Sequence, residues 1–213
     1  MHRKTFYGFL LCALVLAFGC NTPSNGSTEE TTDNTPTSES GMETGGSSMQ
    51  GNDQYTVSML DTTIKSPRKE LKGTIDGVDV TINYGSPAVN ERTIYGDLVP
   101  YGQVWRTGAN EATRITFSED VTIGEENSLV PAGTYSLFTL PADKNDWTII
   151  LNKTADQWGA YDYSEDDDLI RVKGMSEPAS SPAERMDFAL DGQSVELMWS
   201  DLVVSFPVMA AAR

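Results

Sequence analysis

From Ser66 onward the apolar residues of this chain recur at every second position, a period that suits half-buried extended strands and little else. Val78, Val80, Ile82 and Tyr84 fall on one face of such a segment, with Asp79, Thr81 and Asn83 on the other. The pattern returns at Ile115 and Phe117, at Val121 and Ile123, and at Trp147, Ile149 and Leu151. It returns again at Met186, Phe188 and Leu190, at Val195, Leu197 and Trp199, and at Val204, Phe206 and Val208. Asp76-Gly77 and Asp191-Gly192 stand between successive runs, and Asp-Gly accepts the positive dihedrals of a type I′ hairpin turn. Asp143–Asp146 and Glu125–Asn127 read as further turns, and no long stripe of helical period occurs. Roughly 145 residues of this kind are enough to bury a core, so the sequence predicts an all-β domain, a two-layer antiparallel β-sandwich, with a closed or half-open β-barrel as the second choice. Two stretches interrupt the alternation. Residues 86–110 predict a long ordered loop with room for a helical turn, and residues 155–168 carry Trp158, Tyr161, Tyr163 and an acidic run.

The N-terminal part follows different rules. His2, Arg3 and Lys4 precede an apolar run from Phe6 to Phe18 and then Gly19-Cys20, the layout of a secretory signal. The run is about a dozen residues, short of the roughly 20 that a membrane-spanning helix needs. Leu16-Ala17-Phe18-Gly19-Cys20 resembles a bacterial lipobox, although Ala17 stands where leucine is commonest and Phe18 is bulky for its place. The expectation is cleavage before Cys20 and acylation of that cysteine; the alternatives are plain secretion, or an uncleaved leader without lipid. Two or three acyl chains anchor stably where a single one binds only marginally. From Asn21 to about Met59 the chain is rich in Ser, Thr, Gly, Asn and Glu and carries no Lys or Arg, too little apolar surface to fold. About 40 such residues form a coil with a reach on the order of 35 Å. The expected division is therefore a signal peptide over 1–19, a lipidated tether over 20–62 and a β-domain over 63–210, placed in the cell envelope with the membrane as partner through the lipid.

Cleavage would remove His2 and Cys12, the single histidine and the only cysteine besides Cys20. Ser-His-Asp and Cys-His catalysis and zinc sites built on His or Cys then have no residues to use, and no intrachain disulfide can form. No cofactor is expected. The formal charge of -16 would fall to -18 with the loss of Arg3 and Lys4, and a surface that negative repels nucleic acid.

Several motifs resemble a known family. Ser66-Pro67-Arg68, Tyr84-Gly85-Ser86-Pro87, the run from Ile94 to Gly102, Val104-Trp105-Arg106-Thr107-Gly108-Ala109-Asn110-Glu111-Ala112-Thr113 and Pro131-Ala132-Gly133-Thr134-Tyr135-Ser136-Leu137 are similar to the domain of unknown function 2911 family. The resemblance runs from about Ser66 to Trp199 and includes Trp158-Gly159-Ala160-Tyr161. It implies a secreted or lipid-anchored bacterial protein and assigns no reaction.

Trp105 to Glu111 places an aromatic ring, a fixed cation, an amide and a carboxylate within seven positions. Read as a pocket, Arg106 holds a carboxylate or phosphate, Asn110 and Glu111 bond hydroxyls, Trp105 offers a stacking face and Tyr95 belongs to the same loop. Read as structure, Arg106 pairs with Glu111 or another acid and Asn110 bonds backbone. Trp158 and Tyr161, with Tyr163, form either a platform for sugar rings or core packing. Asp97 and Glu111 are the alternative acid and base of a carboxylate-dependent glycan hydrolase, which needs two carboxyl groups flanking one cleft. Glu165-Asp166-Asp167-Asp168 lacks the spacing of a calcium loop and reads as a solvated face rather than a metal site. The sequence thus predicts a non-enzymatic domain that binds an envelope glycan, peptide or protein, with a hydrolase or a purely structural envelope component as alternatives.

Overall fold

The computed structural model describes residues 48–49 and 53–212, so the leader, Cys20 and most of the tether lie outside the described residues. The strands are β1 (Ser48–Met49), β2 (Tyr55–Asp61), β3 (Arg68–Ile75), β4 (Val78–Gly85), β5 (Thr113–Phe117), β6 (Val121–Ile123), β7 (Ser128–Val130), β8 (Gly133–Pro141), β9 (Trp147–Asn152), β10 (Asp168–Asp191) and β11 (Ser194–Ala210). A 3-10 turn covers Glu165–Asp167. Every pairing is antiparallel, and the strands follow the order β1-β2-β3-β4-β5-β8-β9-β10-β11-β6-β7. The body is one ten-strand sheet, β2 to β11, that does not close, with the two-residue β1 added at its edge.

All-β architecture is as the alternation predicts, but the strands do not separate into the two sheets of a sandwich. The reason lies in two strands longer than the local pattern suggests. β10 pairs with β9 through Asp168–Gly174 and with β11 through Met175–Asp191, so one strand carries the sheet from one neighbour to the next, with register shifts against β11 between Pro178 and Ala183 and between Ala183 and Asp187. In β11 the buried side chains are Val195, Leu197 and Trp199, then Leu202, Val204, Phe206 and Val208. The switch from odd to even positions is taken up at Ser200, whose φ of 53° is rare in a regular strand. Two runs that read as separate strands are therefore one bulged strand. The sheet folds back on itself: Tyr84 of β4 and Phe188 of β10 meet edge to face with ring centroids 5.0 Å apart.

The β3–β4 turn takes the expected form, with Asp76 at φ 52 and Gly77 at φ 82. The β10–β11 turn is shifted by one residue: Asp191 pairs with Ser194, leaving Gly192-Gln193 at the tip with Gly192 at φ 55. Tyr55–Asp61, read as the end of the tether, instead forms β2 on β3 through pairs such as Val57 with Leu71, ahead of the boundary expected at residue 63. Val57 is buried there and ties the segment to the core.

The loop over 86–112 is ordered without a helical turn. It is pinned to β10 by Val89 N donating to Glu184 O (2.7 Å) and Met186 N donating to Pro87 O (2.9 Å), and to β8 by reciprocal bonds between Trp105 and Thr139. Gly85 permits this docking, since a Cβ at that position would sit 2.2 Å from Ala109 O. Within the core Lys69 is 2% exposed, its ammonium 2.7 and 2.8 Å from the two carboxylate oxygens of Asp187, to which the Tyr84 hydroxyl also donates at 2.7 Å.

Candidate functional site

The loop and the segment before β3 enclose a cleft of about 300 Å3. Its cations are Lys65, Arg92 and Arg106, and among the described residues no carboxylate lines it, in a chain with twice as many acidic as basic residues. The floor is aromatic: Trp105 and Trp199 stack with centroids 5.8 Å apart and an interplanar angle of 18°. Arg92 is held by its own loop, Nε donating to Val89 O (3.0 Å) and a terminal nitrogen to Ala88 O (2.6 Å).

Arg106 differs. Its guanidinium makes no ion pair or hydrogen bond among the described residues, and its Nε is buried without an acceptor. Burial pulls its pKa down, partly offset by the adjacent Tyr161 hydroxyl. The residue after it, Thr107, is fully buried in left-handed backbone at φ 54, an unfavourable place for a β-branched side chain. Three contacts hold it there: its hydroxyl donates to Trp105 O and meets the Thr139 hydroxyl, both at 3.2 Å, and its carbonyl accepts from the Thr113 hydroxyl at 2.7 Å. The strained turn fixes where Arg106 leaves the backbone. Trp199 supplies a second buried N–H without a partner, its indole Nε1. The cleft therefore gathers three positive groups, and two N–H donors buried in its wall, Arg106 Nε and Trp199 Nε1, lack acceptors; cations so placed suit an acceptor-rich anion.

A second, shallower cleft of about 260 Å3 adjoins the first, with Ser66 and Asn110 lining one and Arg68 and Glu111 the other. Its charges cancel in pairs. Arg68 meets Glu111 at 2.7 Å, and Arg114 bonds Asp156. Gln157 and Trp158 complete its wall.

The family model described as Protein of unknown function (DUF2911) matches residues 66–208, which is most of the β-domain and all of both clefts except Lys65. The chain belongs to the DUF2911 family. No curated protein and no solved structure matches it.

In this DUF2911 domain the four residues singled out from Trp105 to Glu111 do not converge. Trp105, Arg106 and Asn110 line the first cleft, while Glu111 faces the second and is bound to Arg68, so the expected pairing of Arg106 with Glu111 is replaced by Arg68 with Glu111. Asn110, in left-handed backbone at φ 64, donates to Ser66 O at 3.5 Å and closes the turn. Tyr95 is core: its hydroxyl donates to Trp199 O (2.9 Å) and its ring packs edge-on against Trp147 at 5.5 Å, with burial first and then Asp201 raising its pKa. Asp97 is exposed and lines neither cleft, so it does not face Glu111 across a substrate site.

Trp158 and Tyr161 stand outward, but Tyr163 does not join them; its ring packs on Phe138 at 5.0 Å and its hydroxyl donates to Asp168 at 2.7 Å. Asp168 also takes Arg171 Nε at 2.7 Å and Asn152 Nδ2 at 2.9 Å, while Glu165 to Asp167 form the exposed 3-10 turn; no metal-binding cluster occurs among the described residues. Lys65, Arg92 and Trp199 are the lining residues that sequence reasoning missed. Trp199 carries the alternation signal of a core strand, and nothing local marks its indole nitrogen as free.

Proposed function

We propose that the DUF2911 domain of this chain is a non-enzymatic receptor for a small anionic ligand, held at the bacterial envelope by a lipid on Cys20. The observation that carries this reading is the unpartnered Arg106 guanidinium, in a cleft that Trp199 also lines, with two further cations and, among the described residues, no carboxylate. Arg106 is half-buried with its Nε fully enclosed and no counter-ion, and an anion that enters the cleft offsets the cost of that arrangement. Trp105 and Trp199 beneath it favour a ligand with an apolar or planar body. The non-enzymatic part of the reading is supported by the carboxylates: Glu111 and Asp156 both line the second cleft, but each is tied to an arginine, which leaves neither free for acid or base work. The envelope location rests on the leader and lipobox-like residues of the sequence.

Differential scanning fluorimetry and calorimetry with inorganic phosphate, sulfate and succinate test the site. At 100 times its dissociation constant a ligand stabilises the fold by about 2.7 kcal/mol, which shifts Tm by several degrees in a domain of this size. Arg106→Ala should abolish the shift, and Arg106→Lys should weaken it, because an ammonium lacks the planar fork. If each anion raises Tm no more than chloride at equal ionic strength, the proposal fails.

A further inference from the structure

The second cleft carries chemistry of a different kind, independent of the anion site. We infer that it binds a neutral sugar ring, stacked on Trp158 and hydrogen-bonded through Gln157 and the two flanking ion pairs.

Three observations lead there. The first is Gln157, 7% exposed and part of the cleft wall. Asn152 Nδ2 donates to Ser164 O (3.0 Å) and to Asp168 Oδ1 (2.9 Å), so Asn152 Oδ1 must face the other way. That oxygen takes Gln157 Nε2 at 3.0 Å, and Nε2 also donates to Thr154 O at 2.7 Å. Both amides are thereby oriented by acceptors that only an NH2 group can satisfy. Gln157 Oε1 is left buried with no donor, and a hydroxyl or amide N–H of a ligand can supply one.

The second observation is electrostatic. Arg68 with Glu111, and Arg114 with Asp156, bring two positive and two negative groups to one cleft, so its lining has no net charge to select an ion. Guanidinium hydrogens and carboxylate lone pairs left over by these pairs match hydroxyl groups, each of which both donates and accepts.

The third is aromatic. Trp158 is 60% exposed and Tyr161 is 85% exposed, an unusual outlay of ring surface within four residues. Their backbone is nevertheless fixed. Trp158 forms a β-bridge with Glu111, and Gln157 O accepts from Ala112 N at 3.0 Å. Gly159, at φ +70, lets the Tyr161 ring fold over it, where a Cβ would come within 3.1 Å of the ring. An apolar face carried on a fixed backbone beside a neutral, hydroxyl-matching cleft fits a pyranose, which has an apolar face and a polar rim.

Isothermal calorimetry on the full chain with glucose, N-acetylglucosamine, cellobiose, maltose and chitobiose tests the inference. Saturable binding of at least one of them is expected, reduced at least tenfold by Trp158→Ala and partly retained by Trp158→Phe, with the melting temperature unchanged because the ring is exposed. Phosphate binding to the first cleft should be the same in both variants and in the parent, which separates this site from that one. Absence of heat with all five sugars overturns the inference. So does sugar binding that survives Trp158→Ala intact, or Trp158-dependent binding to phosphatidylglycerol vesicles with none to the sugars.

Discussion

Asp187→Ala should be the most damaging single change outside the apolar core. Lys69 is 2% exposed, and the Asp187 carboxylate accepts two of its N–H bonds and the Tyr84 hydroxyl as well. Removing the carboxylate leaves an ammonium and a phenol buried without acceptors. Breaking a buried ion pair from one side costs about 3–5 kcal/mol. The lower end applies here, because the Asp187 side chain is 33% exposed and water can enter the space it vacates. About 3 kcal/mol is a large part of the 5–15 kcal/mol typical of a domain. At roughly 2–4 °C per kcal/mol it lowers Tm by about 6–12 °C. Urea titration at pH 7 measures the loss directly. The triple variant Lys69→Met, Asp187→Leu, Tyr84→Phe removes every polar member of the group together and should recover most of the stability, since apolar replacement of a buried pair is often neutral or better. A loss below about 1 kcal/mol for Asp187→Ala, or a triple variant less stable than the single one, would refute the claim that the burial of Lys69 depends on Asp187.

Two further outcomes can be stated. Burial, then the hydrogen bond to Asp168, pushes the Tyr163 hydroxyl up to about 12. The folded protein thus holds this proton more tightly than the unfolded chain, so the contribution is complete below the ordinary tyrosine value of 10.0 and is lost as pH climbs through about 12. Ultraviolet titration of phenolate should show Tyr163 ionising late, and Asp168→Asn should bring it earlier; an ordinary midpoint in the parent would contradict the packing described. For the anchor, metabolic labelling with an alkyne fatty acid should mark the parent chain and not Cys20→Ser, and label that persists in the variant would place the lipid elsewhere.

The β class, the β3–β4 turn and the buried faces of β4, β5, β6 and β11 are all legible in the sequence, because period-two burial and Asp-Gly turn chemistry are local properties that neighbouring residues determine among themselves. Even the bulge at Ser200 left a trace in the shift of the apolar register from Trp199 to Val204. The number of sheets was not legible. It depends on β10 pairing with β9 along one half and β11 along the other, a choice between partners that alternation alone does not rank.

The candidate site divides the same way. Arg106 and Trp158 stand out in sequence as a lone cation beside a ring and a ring in a polar segment, and the fold leaves the first without a counter-ion and the second in solvent. That Glu111 belongs to Arg68 and not to Arg106, that Lys69 in a run of charged residues is buried, and that Trp199 joins the loop's Arg106 in one cleft were decided only in three dimensions. Composition and periodicity specify which face of a strand is dry, since every strand carries that information in its own side chains. Which charges meet is set by contacts across as many as 118 positions of chain, where only the folded arrangement supplies the distance.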